Sequence, residues 1–314
     1  MSIVASARGP LGPLGPGDAP IPEGGAAGGA GGHRTIWRSF VETFVENRLG
    51  LVGLGIILFM VLFSFVGPVF WKTNQVTTNF ADANLAPSWA HPIGTDPAGY
   101  DVLGRLMLGG QSSLELGLAV AAMATLLGAS WGAISGFVGG ILDAVMMRIV
   151  DALLSIPTLV LLLILAAIFT PSQGLLIVIL GALSWLVTAR LVRGEALSLR
   201  GREYVEAVRL AGSTRRRIIY RHIIPNALGV IVVQSAFEVA DAILAVAYLS
   251  FLGLGIPPPH ASWGGILAHG LNYMYDGYWW LVYPAGIGIV LTVVGFYCVG
   301  NALRDSLDSR LRRR

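Results

Sequence analysis

The hydrophobic positions of this chain fall in six long runs that are separated by more polar stretches. The runs cover approximately residues 50–70, 114–138, 144–169, 174–193, 226–250 and 282–303. Each run is close to the ~20 residues that an α-helix needs to cross the hydrocarbon core of a bilayer. The pattern therefore predicts an all-α polytopic membrane protein with six transmembrane helices.

Arginine is distributed unevenly among the stretches that join these runs. The two long stretches 71–113 and 251–281 hold only Lys72 and Arg105 between them. Nine arginines lie at the end of the fourth run and in the stretch that follows it: Arg190, Arg193, Arg200, Arg202, Arg209, Arg215, Arg216, Arg217 and Arg221. Because cytoplasmic loops carry an excess of Lys and Arg, we predict that this stretch and both termini lie in the cytoplasm. The stretches 71–113 and 251–281 are then outer segments.

The ends of the chain lie outside the six-span domain, which we place at 50–311. Residues 1–32 are mostly Gly, Pro and Ala, a composition that predicts a disordered cytoplasmic leader. Residues 33–49 are amphipathic and fit an interfacial helix on the cytoplasmic surface or, equally well, a core helix. Residues 312–314 form a basic tail.

Composition excludes several classes of function. With 54% hydrophobic and 12% charged residues and a mean hydropathy of +0.70, the chain is not an ordinary soluble domain. Its one lysine, Lys72, follows Trp71, so no Gly-Lys-Ser/Thr nucleotide-binding loop exists. Its one cysteine, Cys298, rules out a disulfide framework. The five histidines lack metal-ligand spacing and no catalytic triad is evident, so we predict neither enzymatic activity nor a cofactor in this chain.

The basic stretch Gly201–Pro225 predicts two short helices joined by a tight turn. Gly212 supplies the left-handed residue that ends the first helix, and Ser213 is a suitable N-cap for the second. The second helix is expected to finish before Pro225. The residues on one face of the first helix are Tyr204, Val208 and Ala211.

This stretch resembles the EAA loop through which permeases of ABC importers dock into their ATPase subunits. The positions that match the family pattern at the family spacing are Glu206, Ala207, Gly212 and Pro225. Val208, His222 and Ile224 depart from it, although the ending His222–Asn226 is similar to that of the dipeptide/oligopeptide/nickel branch. A DNA-binding helix–turn–helix or a merely solvated basic loop are the alternatives; the flanking apolar runs would tether a DNA reader at the bilayer.

Both predicted outer segments resemble the same branch. The first carries Gly94, Thr95, Asp96, Gly99, Asp101, Val102 and Leu103 of its outer motif. Tyr100 stands where the branch usually has Arg, so an ion pair from that position is not expected. The second resembles the branch over Leu249–Gly264.

The resemblance implies a type I (MetI-like) importer permease of the bacterial inner membrane that carries di- or oligopeptides. The implied partners are a second, homologous but non-identical permease, two ABC ATPase subunits or one fused pair that bind ATP and Mg²⁺, an extracytoplasmic substrate-binding protein and the lipid bilayer, with no nucleic acid. The coupling loop is 194–225, with 202–224 at its centre. Its implied contact residues are Tyr204, Glu206, Ala207, Val208, Ala211, Gly212, Arg216 and Pro225.

Three other functions stay open at this stage. The same machinery could carry nickel, glutathione or another small polar solute. An ion-driven secondary transporter would predict an internal repeat and a polar, broken helix pair, and no repeat is evident. A membrane scaffold would leave the carboxylates inside the spans unexplained.

Polar and small residues inside the spans give further predictions. Gly128, Gly132, Gly136 and Gly140 recur every four residues and predict close helix packing, or a hinge. Arg148 and Asp151 are expected to form an ion pair, and Pro157 to kink the third span.

Two carboxylates in the fifth span, Glu238 and Asp241, are three residues apart, with Gln234 nearby. Carboxylates at membrane depth are costly unless they line water or meet a cation. We predict that Gln234, Glu238 and Asp241 line the translocation path; the alternatives are an ion pair with a partner subunit or a position closer to the outer surface.

Overall fold

The computed structural model of the chain describes residues 44–73, 75, 77–169, 172–257 and 260–312. The helices are α1 (Arg48–Phe70), α2 (Val102–Val138), α3 (Gly140–Leu154), α4 (Thr158–Ile168), α5 (Gln173–Arg200), α6 (Glu203–Leu210), α7 (Arg215–Phe251), α8 (Trp263–Leu271) and α9 (Tyr283–Arg312). Apart from an isolated bridge between Thr95 and Asp101, these ranges contain no β-structure. The all-α prediction is confirmed. The predicted leader, residues 33–43 of the interfacial stretch and 313–314 of the tail lie outside the described residues.

Five of these helices, α1, α2, α5, α7 and α9, are long and apolar enough to cross a membrane. The third predicted span is different: α3 and α4 form a pair bent by 76°, and only together could they make a sixth crossing. The interruption predicted at Pro157 is present, but it separates two helices instead of kinking one. Pro157 lies between the two helices with extended ψ (115°), because proline lacks the N–H that would continue the α3 hydrogen bonds.

Glycines bring α2 and α5 into close contact. A Cβ added to Gly128 would lie 2.6 Å from Cβ of Thr188, and one added to Gly136 would lie 2.7 Å from the carbonyl oxygen of Arg193. Gly132 faces the backbone of the same stretch of α5. The packing prediction therefore holds for three of the four glycines. Gly140 is the exception, because α2 ends at Val138 and a Cβ at Gly140 would meet nothing within 4 Å.

A further set of contacts is centred on α7, which packs against α2, α5, α8 and α9. A second close contact joins α1 to α9, where a Cβ on Gly53 would lie 2.6 Å from Cβ of Cys298. The buried side chains between these helices include Leu114, Ile243 and Trp263. One bundle therefore holds the elements on both sides of the coupling loop.

The two predicted outer segments are joined by hydrogen bonds. Trp280 Nε1 donates to the carbonyl oxygen of Thr95 (3.2 Å), although 185 residues separate them. Asp101 caps α2 by accepting from Gly104 N (3.0 Å), and its other oxygen lies 3.1 Å from Nδ1 of His91. The first outer segment is thereby attached to both α2 and the second segment.

We expect Gly132→Leu to destabilise the protein, because the larger side chain would force the α2 and α5 backbones apart. Overpacking a tight contact typically costs about 1–3 kcal/mol. Gly55→Leu is the matched control, since Gly55 is exposed on α1 and a Cβ there meets nothing within 4 Å. The apparent Tm of the purified protein should fall in the first variant and stay near wild type in the second. Equal Tm values in both variants would contradict the packing role.

Candidate functional site

The central part of the coupling loop is a short helix followed by a sharp turn. The helix α6 ends at Leu210, and Gly212 follows with φ of +79°, the left-handed conformation expected from the sequence. The N-cap of α7 is Thr214, whose Oγ1 accepts from Arg217 N (3.4 Å). The prediction of Ser213 as the cap is therefore wrong by one residue. The reason is that the turn continues one position further before the backbone becomes helical.

Four buried side chains attach this loop to the bundle: Val205 of α6 and Ile218, Ile219 and Ile223 of α7. They pack against α2 and α5, in a cluster that includes Phe137 and Leu199. Burying one such side chain stabilises by about 1.5–3 kcal/mol. The loop is thus fixed to the ends of three long helices.

The opposite face of the loop is open. Of the predicted contact residues, Tyr204, Glu206, Ala207, Ala211, Gly212, Arg216 and Pro225 are exposed, and Val208 is half-buried against the cluster below. The structure also places Leu210 at this surface with 89% of its area exposed. Sequence reasoning missed Leu210, because an apolar residue in a short helix is usually assigned to the buried face.

Five exposed arginines belong to the same segment of chain as Leu210. They are Arg209, Arg215, Arg216, Arg217 and Arg221, all exposed. The Arg216 guanidinium lies 5.9 Å from the centroid of the Tyr220 ring, and Tyr204 and His222 have ring centroids 6.5 Å apart. The loop therefore exposes Leu210, two tyrosines (Tyr204 and Tyr220) and several arginines.

The sequence predicts that the second helix of the loop ends before Pro225. It instead continues through Pro225 as part of α7. A π turn over Ile219–Ile223 precedes the proline, and Ile224 N donates to Ile219 O. The wider turn accommodates the proline ring, which in a regular α-helix would clash with a carbonyl one turn earlier. Asn226 Nδ2 donates to the carbonyl oxygen of His222 (2.6 Å). The loop and the membrane helix are therefore one continuous element.

An ion pair beside the loop joins three helices. Asp143 of α3 accepts two hydrogen bonds from Arg193 of α5, from Nε (2.6 Å) and from Nη2 (2.7 Å). Ser135 of α2 donates to the same carboxylate. Bidentate charged pairs of this kind fix geometry as well as contributing energy. Asp143 and Arg193 are 50 residues apart, so the sequence contained no local signal for this pair.

A second, more exposed pair corrects a prediction. Asp151 Oδ1 lies 2.6 Å from Nη2 of Arg190, not beside Arg148. Arg148 is exposed and makes no ion pair with the described residues. Asp151 instead reaches across to α5, as Asp143 does.

The three predicted path residues do not share one environment. Glu238 is 4% exposed, and its Oε1 accepts from Thr188 Oγ1 of α5 (3.0 Å) and from Gln234 Nε2 (3.2 Å). Asp241 is exposed, and its Oδ1 accepts from the Tyr297 hydroxyl of α9 (2.6 Å). Only Asp241 lies on the open surface of the chain, while Gln234 is half-buried.

Comparison with known proteins identifies the family to which these features belong. Residues 124–313 match the binding-protein-dependent transport system inner membrane component, and residues 35–87 match the N-terminal TM domain of oligopeptide transport permease C. The chain belongs to this family of inner membrane transport components. The match at 124–313 includes the coupling loop and both carboxylates, so the permease resemblance and the fold class are confirmed.

Similar proteins cover most of the permease. It is 39% identical over 279 residues to the oligopeptide transport system permease protein OppC of Bacillus subtilis, covering 89% of this chain and 91% of that one. It is 38% identical to the dipeptide transport system permease protein DppC of the same organism (85% and 84% covered) and 38% identical to OppC of Escherichia coli K12 (89% and 93%).

Family membership places the permease in the inner membrane as a multi-pass protein. Members are transport permease subunits of ABC importers and are not themselves catalytic. The family description names a binding protein as part of the system. The permease therefore works with other subunits.

We expect the two Asp–Arg ion pairs beside the loop to differ in their contribution to stability. Asp143→Asn removes one partner of the pair in which the Asp143 side chain is 12% and the Arg193 side chain 33% exposed. Breaking a buried pair costs roughly 3–5 kcal/mol, and partial exposure of Arg193 places the effect at or below that lower limit. The Asp151–Arg190 side chains are 49% and 51% exposed, so Asp151→Asn should cost under about 1 kcal/mol. Thermal unfolding of both variants measures the contrast, and a larger effect at Asp151 would contradict it.

Proposed function

We propose that this chain is one permease of an ATP-driven importer of di- and oligopeptides. It would form half of the translocation pore with a second, homologous permease. Two ATPase subunits, or one fused pair, would bind ATP and Mg²⁺, and an extracytoplasmic binding protein would deliver the peptide. Both termini and the coupling loop would lie in the cytoplasm. The similar permeases are named for oligopeptide or dipeptide transport, which favours peptides over nickel or glutathione.

The observation that carries the proposal is an exposed loop surface whose opposite side is packed into the helix bundle. A single exposed apolar side chain is common on protein surfaces, but Leu210, 89% exposed, lies at the turn of the segment that resembles the ATPase-docking loop of the family. The exposed arginines of the same segment would suit an acidic surface on the ATPase. Because Val205 and Ile218 are each 1% exposed below this surface, a force applied to the loop would move the bundle instead of bending the loop.

We expect Leu210→Asp to uncouple the permease from its ATPase subunits. Loss of a buried Leu contact removes about 1.5–3 kcal/mol, which corresponds to roughly 10- to 100-fold weaker association. Phe80→Asp is the matched control: Phe80 is also apolar and 74% exposed, but it belongs to the first predicted outer segment.

The measurements are co-purification of the ATPase subunits and ATP-dependent uptake of a labelled dipeptide by proteoliposomes that also contain the binding protein. The Leu210 variant should lose both, and the Phe80 variant should keep its ATPase subunits. Peptide uptake without ATP, or uptake of nickel and no peptide, would overturn the proposed function.

For the predicted path residues, we expect Asp241→Asn to lower peptide uptake more than Glu238→Gln does. Asp241 is exposed and would face the second permease or the path, whereas the glutamine at 238 can still accept hydrogen bonds from Thr188 and donate to nearby groups. Uptake rates normalised to the amount of assembled complex measure the difference. Wild-type uptake in the double variant would remove both residues from the path.

A further inference from the structure

A cavity of about 500 Å³ opens between the two predicted outer segments. Its size lies within the range of small-molecule sites, which is roughly 300–1,000 Å³. It is lined by residues of both outer segments, of the first turn of α2 and of α8. The polar and aromatic members of its lining include Asp96, Tyr100, Arg105, His260, His269 and Tyr273.

Arg105, in the first turn of α2, is the cation of this cavity. Its guanidinium carbon lies 4.6 Å from the centroid of the Tyr100 ring, which fixes the plane of the side chain. Its Nε lies 3.8 Å from Asp96 Oδ2, beyond hydrogen-bond distance. The guanidinium of Arg105 donates no hydrogen bond within the described part of the chain, although the Arg105 backbone N–H donates to Asp101 O (3.0 Å). Its side chain is nevertheless only 16% exposed.

One oxygen of the nearby Asp96 carboxylate, Oδ1, is already engaged by backbone N–H groups. Asp96 Oδ1 accepts from the backbone N–H groups of Ala98 and Tyr100, both at 2.9 Å, and so shapes the turn before α2. Asp96 is therefore held by its own turn and contributes to Arg105 only a long, loose ion pair. A guanidinium has five N–H donors in a planar fork that matches a carboxylate. The unused donors of Arg105 are available to a ligand in the cavity.

The walls of the cavity are suited to a ligand that has an apolar or aromatic group next to a carboxylate bound by Arg105. Val102, Ile256 and Leu281 supply apolar surface, and Tyr100 and Tyr273 supply aromatic surface. A few polar groups in a largely apolar pocket are the usual composition of a small-ligand site. The bundle holds this cavity at the α2 end opposite Phe137 and the coupling loop, about 50 Å away along the helix.

We propose that this cavity binds a small solute through a terminal carboxylate, with Arg105 as the anion-binding residue and the adjoining apolar side chain against the cavity wall. If the proposed function holds, on which this step rests, the ligand is the C-terminal residue of a peptide. The cavity would then be a reception site on the permease itself, separate from the carboxylates of α7. The low exposure of Arg105 favours a ligand that enters the cavity over a partner that rests on its rim.

The test is a binding titration by saturation-transfer difference NMR on the purified complex without its binding protein. The probes are N-acetyl-L-phenylalanine, which has a carboxylate, and its primary amide, which does not. The wild-type complex should bind the acid at least about tenfold more tightly than the amide, because only the acid offers a charged acceptor to the Arg105 guanidinium. Arg105→Gln should abolish this preference.

Two further variants complete the design. Gly265→Leu should weaken both probes, because Gly265 lines the cavity and an added Cβ would meet only Ser262 Oγ at 3.1 Å. Arg148→Gln removes an exposed arginine of α3 and is the matched control, which should bind both probes as wild type does. The Tm of each variant verifies folding.

Three results would overturn the inference: equal binding of acid and amide by the wild type, an unchanged preference in Arg105→Gln, or no binding of either probe. If neither probe binds and Arg105→Gln weakens capture of the binding protein, the carboxylate belongs to that protein and not to a solute. The titration requires no transport, so a lost uptake activity together with an intact acid preference would contradict the proposed function alone.

Discussion

The close approach of α2 and α5 is the contact on which the rest of the structure depends. In a bilayer no hydrophobic force draws two apolar helices together, and they associate mainly through van der Waals contact between closely packed backbones. Gly128, Gly132 and Gly136 allow that approach over two turns of α2. The same stretch of α5 carries Arg193, which binds Asp143 of α3. One helix contact therefore also sets the position of the ion pair beside the coupling loop.

Continuity between the loop and the bundle follows from how the chain passes Pro225. A helix that ended before the proline would have placed a flexible joint between the loop and the membrane. The π turn at Ile219–Ile223 removes that joint, so α7 runs from Arg215 to Phe251, a length of about 55 Å. Its two ends lie near the coupling loop and the second predicted outer segment. A displacement at one end would thus reach the other through a single helix.

Features encoded by local residue spacing could be predicted from the sequence, and features that depend on distant partners could not. The apolar runs and the turn at Gly212 are local, and both are present. The Asp143–Arg193 pair joins residues 50 positions apart, so no periodicity reports it. The pairing of Arg148 with Asp151 failed for the same reason, because i, i+3 spacing allows a contact without excluding a better partner on α5.

The break in the third span shows a different limit. Pro157 predicts an interruption, but its position alone does not distinguish a kink within one helix from a break between two helices bent by 76°. The outcome depends on tertiary contacts: Asp143 is tied to α5, while α4 is an almost entirely apolar segment that packs against the first half of α5. The two halves of the span are attached to different parts of α5, and the bend lies between the two attachments.

Glu238 and Asp241 lie within one turn of α7, but the first is buried and the second exposed, so their environments differ. Glu238 accepts hydrogen bonds from Thr188 and Gln234 within the bundle, so its polar atom has partners and needs no water. Asp241 accepts a hydrogen bond from the Tyr297 hydroxyl of α9, and its side chain is exposed at the surface of the chain. Since an exposed carboxylate at membrane depth is costly against lipid, this surface is compatible with a stable protein only where water or another polypeptide covers it. The position of Asp241 therefore favours an assembly over an isolated chain, whereas Glu238 would be equally stable in either.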